Sequence, residues 1–183
     1  MRVTDWVLRR WYGVREFTDD PTCLFRISRA TAPHEAALGD GTCIQAGETI
    51  GVLHIWNEQL PRFSLVGPDF RWAQLIRRRM LGSFRELARY LDEDPSWADI
   101  RGIHACVTFG SRRRRAQIRR VAARFGVELI EIGGPNGWHA LGEDVLIWAF
   151  ARAFNPPALR RHCFRRDRTE LWISRDRLLT LYR

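Results

Sequence analysis

The chain contains no lysine: all 30 of its Lys+Arg residues are arginine. That absence removes Schiff-base chemistry, pyridoxal anchoring and the phosphate-binding lysine of P-loop enzymes together. Codon bias in a GC-rich genome would produce the same replacement without selection for function. The physical consequence is the same either way, since guanidinium groups stay charged and fork onto phosphate or carboxylate. Long apolar runs are also missing. The longest, Val145 to Ala151, is far too short to span a bilayer, and Arg9, Arg10 and Arg15 interrupt any apolar leader core near the N-terminus. Cys23, Cys43, Cys106 and Cys163 share no CxxC or other short metal-ligand spacing. His34, His104 and His162 are scattered, and the chain has no HExxH or HxxxH. The expectation is a cytoplasmic protein, peripheral at most to the inner membrane face, with reduced buried thiols and neither metal nor other cofactor.

What is present suits one globular domain. A length of 183 residues and a 45% hydrophobic content, with 8 Trp and 10 Phe, supply a core and argue against disorder. Charge is unevenly spread. Residues 1–61 carry 6 Arg against 8 acidic residues, a net of −2, whereas residues 62–183 carry 24 Arg against 13, a net of +11. A field of that sign attracts nucleic acid, anionic membrane or phosphorylated small molecules, and does not choose among them.

Periodicity predicts an α+β fold over residues 1–183: an antiparallel N-terminal meander, a β-α-β unit and a buried C-terminal helix. Val3, Trp6, Val7 and Trp11 recur at helical spacing. Leu24–Ile27, Ala36–Leu38, Thr42–Ile44 and Ile50–Trp56 read as strands separated by turns at Gly39-Asp40-Gly41 and Ala46-Gly47-Glu48. Phe70–Leu91 reads as the longest helix, with Trp72, Ile76, Met80, Phe84, Leu87 and Leu91 on one stripe and an end at Asp94-Pro95. Ile103–Phe109, Ser111–Phe125 and Val127–Ile132 read as strand, helix and strand, with a parallel pair as the default pairing. After the turn-rich Gly133–Gly137, Leu141–Phe154 is apolar nearly all round. A last strand, Glu170–Ile173, leads to Ser174 as cap of a helix over Arg175–Tyr182.

Three local constellations can carry chemistry. In Phe109-Gly110-Ser111-Arg112-Arg113-Arg114-Arg115 a strand ends in a tight turn and a helix starts with Ser111 as N-cap. Free backbone N–H groups there, with Arg112, Arg113 and Arg115, would hold a phosphate. The plainer alternative is a solvated basic face behind an ordinary cap. In His54-Ile55-Trp56-Asn57-Glu58, alternation puts Val52, His54 and Trp56 on one face. His54 is the candidate general base, Glu58 its orienting carboxylate, Asn57 an oxyanion donor and Trp56 a ligand wall. The alternative is a hydrogen-bonded histidine in a half-buried sheet. In Gly137-Trp138-His139, Trp138 and His139 would line a ligand site, while Glu143 and Asp144 suit the dipole of the following helix.

The stretch Asp40-Gly41-Thr42-Cys43-Ile44-Gln45-Ala46-Gly47-Glu48, continued by Leu53-His54-Ile55-Trp56-Asn57-Glu58-Gln59-Leu60, resembles the bacterial YkoP-like domain. So does the closing Leu171-Trp172-Ile173-Ser174-Arg175 with Leu178-Leu179 and Tyr182. That family occurs alone or joined to polysaccharide-deacetylase domains. The resemblance implies cell-envelope lipid or glycan biology and supplies no catalytic residues, although His54 and Asn57 fall on matching positions. The arginine run at 112–115 is not part of the family pattern.

Charge, aromatic content and resemblance together give the leading expectation. It is an intracellular protein at the membrane surface that binds or transforms an anionic lipid or a phosphate-bearing envelope precursor. A nucleic-acid-binding module using the arginine-rich face is the alternative from another class, although no RNP, KH or zinc-finger pattern occurs. A non-catalytic partner subunit of an envelope-biosynthesis enzyme is the third. Turnover and oligomeric state are left open by the sequence.

Overall fold

A computed structural model of the chain describes residues 13–56, 59–61, 69–109, 112–131 and 167–183. The helices expected over Val3–Tyr12 and Leu141–Phe154 and the turn at Gly133–Gly137 lie outside the described residues. Strands β1 (Phe25–Thr31) and β4 (Thr49–Ile55) pair antiparallel from Phe25↔Ile55 to Thr31↔Thr49. The hairpin anticipated at Gly39-Asp40-Gly41 forms between them, from β2 (Ala36–Ala37) and β3 (Cys43–Ile44). It is closed by the Leu38 N–H donating to the Thr42 carbonyl at 2.9 Å. The hairpin is a two-stranded sheet of its own, so the meander is interrupted and β1 is left to pair directly with β4.

Helix α1 (Phe70–Glu93) starts where Asp69 caps it, its carboxylate accepting from the Trp72 N–H at 2.7 Å. It stops at Asp94, held extended ahead of Pro95, because the proline ring disfavours helical geometry in the preceding residue. A single 3-10 turn, Pro95–Trp97, then buries Trp97, whose indole N–H donates to the Tyr90 hydroxyl at 3.0 Å. β5 (Gly102–Phe109), α2 (Arg112–Arg124), β6 (Glu128–Glu131), β7 (Asp167–Ser174) and α3 (Arg175–Tyr182) follow.

The five-stranded sheet has the order β1-β4-β5-β7-β6, and this corrects the expected pairing. β5 and β6 run in the same direction but are not neighbours. β7 lies between them, antiparallel to both, in register Ile103↔Ile173 on one side and Leu129↔Leu171 on the other. The adjacent parallel pair is β4–β5 (Gly51↔Ile103, Val52↔His104), with α1 as its crossover. Local periodicity cannot reveal that a strand formed later in the chain will insert. The reason it inserts is that β7 has apolar residues to bury on both sides. Leu171 and Ile173 join the core under the helices, while Trp172 joins a separate core under the hairpin.

All three described helices pack on one face. Phe84, Leu87, Ala88 and Leu91 of α1, Ala122 of α2 and Leu178 of α3 cover Ile27, Ile103 and Ile173. Phe84 sits at the centre, 5.1 Å from the Tyr182 ring and 5.9 Å from the Phe125 ring. Of the expected stripe, Trp72, Ile76 and Met80 are only half-buried. On the other face Ala36, Leu38 and Ile44 of the hairpin region cover Ile50 and Trp172. The cysteine expectation needs correcting too. Cys23 is buried, but Cys43 and Cys106 are exposed, because Cys43 occupies the outward position of a two-residue strand whose inward partner is Ile44.

α3 begins as anticipated: the Ser174 hydroxyl accepts from the Arg177 N–H at 3.0 Å. Behind α2, Gly126 takes a left-handed φ of 71° so that the Val127 N–H can return to the Ala122 carbonyl at 3.0 Å. A Cβ on Gly126 would also stand 2.3 Å from Leu181 Cδ1. Gly126→Ala is therefore expected to destabilise the protein by about 1–2 kcal/mol and to lower Tm by several degrees in a thermal melt, with the helical content of the folded state unchanged.

Candidate functional site

Strand alternation collects polar side chains on the face away from the helices. Arg26 and Ser28 stand on β1, His54 opposite Arg26 on β4, His104 on β5, and Glu170 and Trp172 on β7. His54 Nε2 is 2.8 Å from the Ser28 hydroxyl. Burial, reinforced by the Arg26 guanidinium, lowers the His54 pKa below that of an ordinary histidine, so the ring is neutral at neutral pH and can accept a proton. Arg26 in turn lies 4.1 Å over the Trp56 ring and 3.2 Å from the Glu16 carboxylate. Asn57 and Glu58, proposed as partners of His54, lie outside the described residues. The partner found for His54 is Ser28.

Further along the same face is a cluster that local reading had treated as scattered residues. The Glu170 carboxylate has His34 Nε2 at 3.2 Å from one oxygen and His104 Nε2 at 3.3 Å from the other, and it accepts from the Trp172 indole N–H at 2.8 Å. The two imidazole contacts are ion-pair distances without hydrogen-bond alignment, and both Nε2 atoms are buried with no other partner among the described residues. The His104 ring also lies 4.6 Å from the Trp172 ring. Burial pushes the Glu170 carboxyl up, but the His104 and Trp172 contacts and the nearby His34 outweigh it, leaving the pKa below the usual glutamate value. Because each imidazole meets a different oxygen, the carboxylate bridges the rings and the three do not converge on one point. Among the described residues no group of three His, Cys, Asp or Glu is placed to hold a metal ion. The chemistry available here is that of a buried carboxylate that stays ionised between two titratable rings. The sequence carried one signal: Glu170 shares a strand face with the apolar Trp172, and a carboxylate on a buried face needs partners.

Two groups stand out among the described arginines. Glu16, Asp99, Glu86, Glu48, Glu128 and Asp92 pair with Arg26, Arg29, Arg89, Arg101, Arg177 and Arg183 respectively. Arg71, Arg77, Arg78 and Arg85 on α1 and Arg120 and Arg124 on α2 are exposed and have no carboxylate partner among the described residues. Arg71, Arg78 and Arg85 recur every seven residues and so form one stripe along α1. Arg112, Arg113 and Arg115 occupy the first turn of α2, while Ser111, Trp138 and His139 lie outside the described residues. The unpaired arginines sit on the helical layer and the imidazoles on the opposite face of the sheet.

Glu170 gives the cluster a definite pH dependence. A carboxylate with a depressed folded-state pKa stabilises the protein above its unfolded value, near 4.3, and that contribution is lost as pH falls through the lower folded value. Asp40 adds to the same window, its carboxylate held below the ordinary value chiefly by the Ser174 hydroxyl. Glu170→Gln should lower Tm at neutral pH and flatten the acid limb of the stability curve between roughly pH 3 and 5. Urea unfolding across that range would reveal a structurally silent Glu170 by a limb as steep as the wild type's.

No curated protein and no solved structure matches this chain. One family model does, the YkoP domain, over residues 1–182. With that match running the length of the sequence, the chain belongs to the YkoP domain family.

Proposed function

We propose that this YkoP domain binds a phosphate-bearing anion at a membrane surface, either an anionic lipid or a phosphorylated envelope precursor, through its helical layer. The observation that supports the reading most is the set of six exposed arginines on α1 and α2 without carboxylate partners among the described residues. Six other described arginines have acids beside them, so among the described residues the guanidinium charge without a carboxylate partner gathers on the helical layer. Guanidinium forks are suited to phosphate oxygens, and juxtamembrane basic residues each contribute about 1 kcal/mol toward an anionic bilayer. Among the described residues no helix is long and apolar enough to cross a membrane, so contact through these helices would be peripheral.

His54 and Glu170 lie on the far face, which makes ligand binding by the arginines independent of any proton transfer there. In co-sedimentation with phosphatidylglycerol vesicles, the protein should bind at low salt and release as salt rises. The triple substitution Arg78→Gln, Arg85→Gln and Arg120→Gln should weaken binding by roughly a hundredfold, at about 1 kcal/mol per residue. Unchanged affinity in the triple variant would remove the basis of the proposal. Tighter binding to duplex DNA than to vesicles, with a steep salt slope, would favour the nucleic-acid reading instead.

A further inference from the structure

The N-terminal half of α1 differs from the rest of the helix. Its buried residues begin only at Ser83, so from Phe70 to Met80 the helix has no residue fully enclosed by the core. That half carries Arg71, Arg77, Arg78 and Arg79 and no acidic residue. Arg79 is engaged with the Gln59 carbonyl at 2.6 Å, leaving the other three exposed. Two large apolar side chains accompany them, Phe70 at 76% and Leu75 at 40% exposure. The spacing of Arg71, Leu75 and Arg78 places them on neighbouring positions of one outward stripe. Trp72, half-buried, ties the helix start to the preceding segment through its indole N–H, which donates to the Pro61 carbonyl at 2.9 Å.

We infer that this half of α1 is a bilayer-docking element that meets an anionic membrane with its N-terminal end, Phe70 and Leu75 entering the headgroup region while Arg71 and Arg78, which lie between them around the helix, hold lipid phosphates. The inference rests on the anion-binding reading above and adds a partner to it. Charge complementarity selects the occupant. A surface presenting only phosphates would satisfy the arginines and leave Phe70 and Leu75 in water, whereas an anionic bilayer provides phosphates and acyl chains within the same few ångströms. Removing exposed apolar side chains from water adds binding strength that salt does not screen.

The experiment compares the full chain with a Phe70→Ser, Leu75→Ser double variant against two probes. These are phosphatidylcholine vesicles containing a minority of phosphatidylglycerol, and the soluble polyanion inositol hexakisphosphate. Both side chains are exposed, so the thermal melt should be unchanged. The variant is expected to lose vesicle affinity by roughly tenfold or more and to keep wild-type affinity for the soluble polyanion. Vesicle binding equal to the wild type's would overturn the docking element. Wild-type binding to the polyanion but not to vesicles would overturn it as well, and would leave of the reading above only its anion binding by the arginines, without the membrane surface. Failure of the wild type to bind either probe would defeat both.

Discussion

The position of β7 is the constraint on which the described structure depends most. By inserting between β5 and β6 it becomes an interior strand that must bury both of its sides. Leu171 and Ile173 go to the core beneath the helices, and Trp172 goes to the core beneath the hairpin. Its last residue, Ser174, caps α3 and also donates its hydroxyl to the Asp40 carboxylate in the hairpin turn. One strand thereby joins sheet, hairpin and final helix. Replacing a parallel β5–β6 pair by two antiparallel ladders also gives each of those strands a long partner, since β5 pairs with β7 over its whole length from Gly102↔Ser174 to Phe109↔Asp167.

The same insertion accounts for the buried polar cluster. Once Trp172 must face the hairpin, residue 170 must face the same way, and it is a glutamate. Removing a carboxylate from water costs several kcal/mol unless partners compensate. The partners come from three places in the chain: the Trp172 indole, His104 on the adjacent strand and His34 on the connection into the hairpin. His54 with Ser28 lies elsewhere on this face, so the three described histidines collect on one side of the sheet. The helical layer on the other side is instead dominated at its surface by fixed guanidinium charge. This division follows from the sequence: the helices are rich in arginine, with no acidic residue in α2, whereas the carboxylates that neutralise arginines lie mostly on loops, turns and strand ends.

Local signals carried well where the governing interaction is local. The ends of α1 were legible because Asp94-Pro95 stops a helix by short-range sterics, and the start of α3 because Ser174 caps it. The Gly39-Asp40-Gly41 hairpin was legible for the same reason. Strand partners were not, because the order in the sheet is decided by which residues must be buried on both sides, and β7 comes after the strands it separates. The Glu170 cluster was missed for a related reason: its two histidines lie 66 residues or more from Glu170 and from each other, and no spacing rule connects them. His54 was legible as a residue on a polar sheet face, but its contact with Ser28 depends on the β1–β4 register. The arginine excess was visible from composition alone. Which arginines are neutralised depended on tertiary pairing.

The central claim is that the unneutralised guanidinium groups of α1 and α2 form the surface that meets an anion. Arginine-selective labelling with phenylglyoxal, read residue by residue by mass spectrometry with and without phosphatidylglycerol vesicles, addresses it directly. Protection by the vesicles should fall on Arg71, Arg77, Arg78, Arg85, Arg120 and Arg124, with Arg101, paired to Glu48, labelled equally in both conditions. Identical labelling of the helical arginines with and without vesicles would contradict the account.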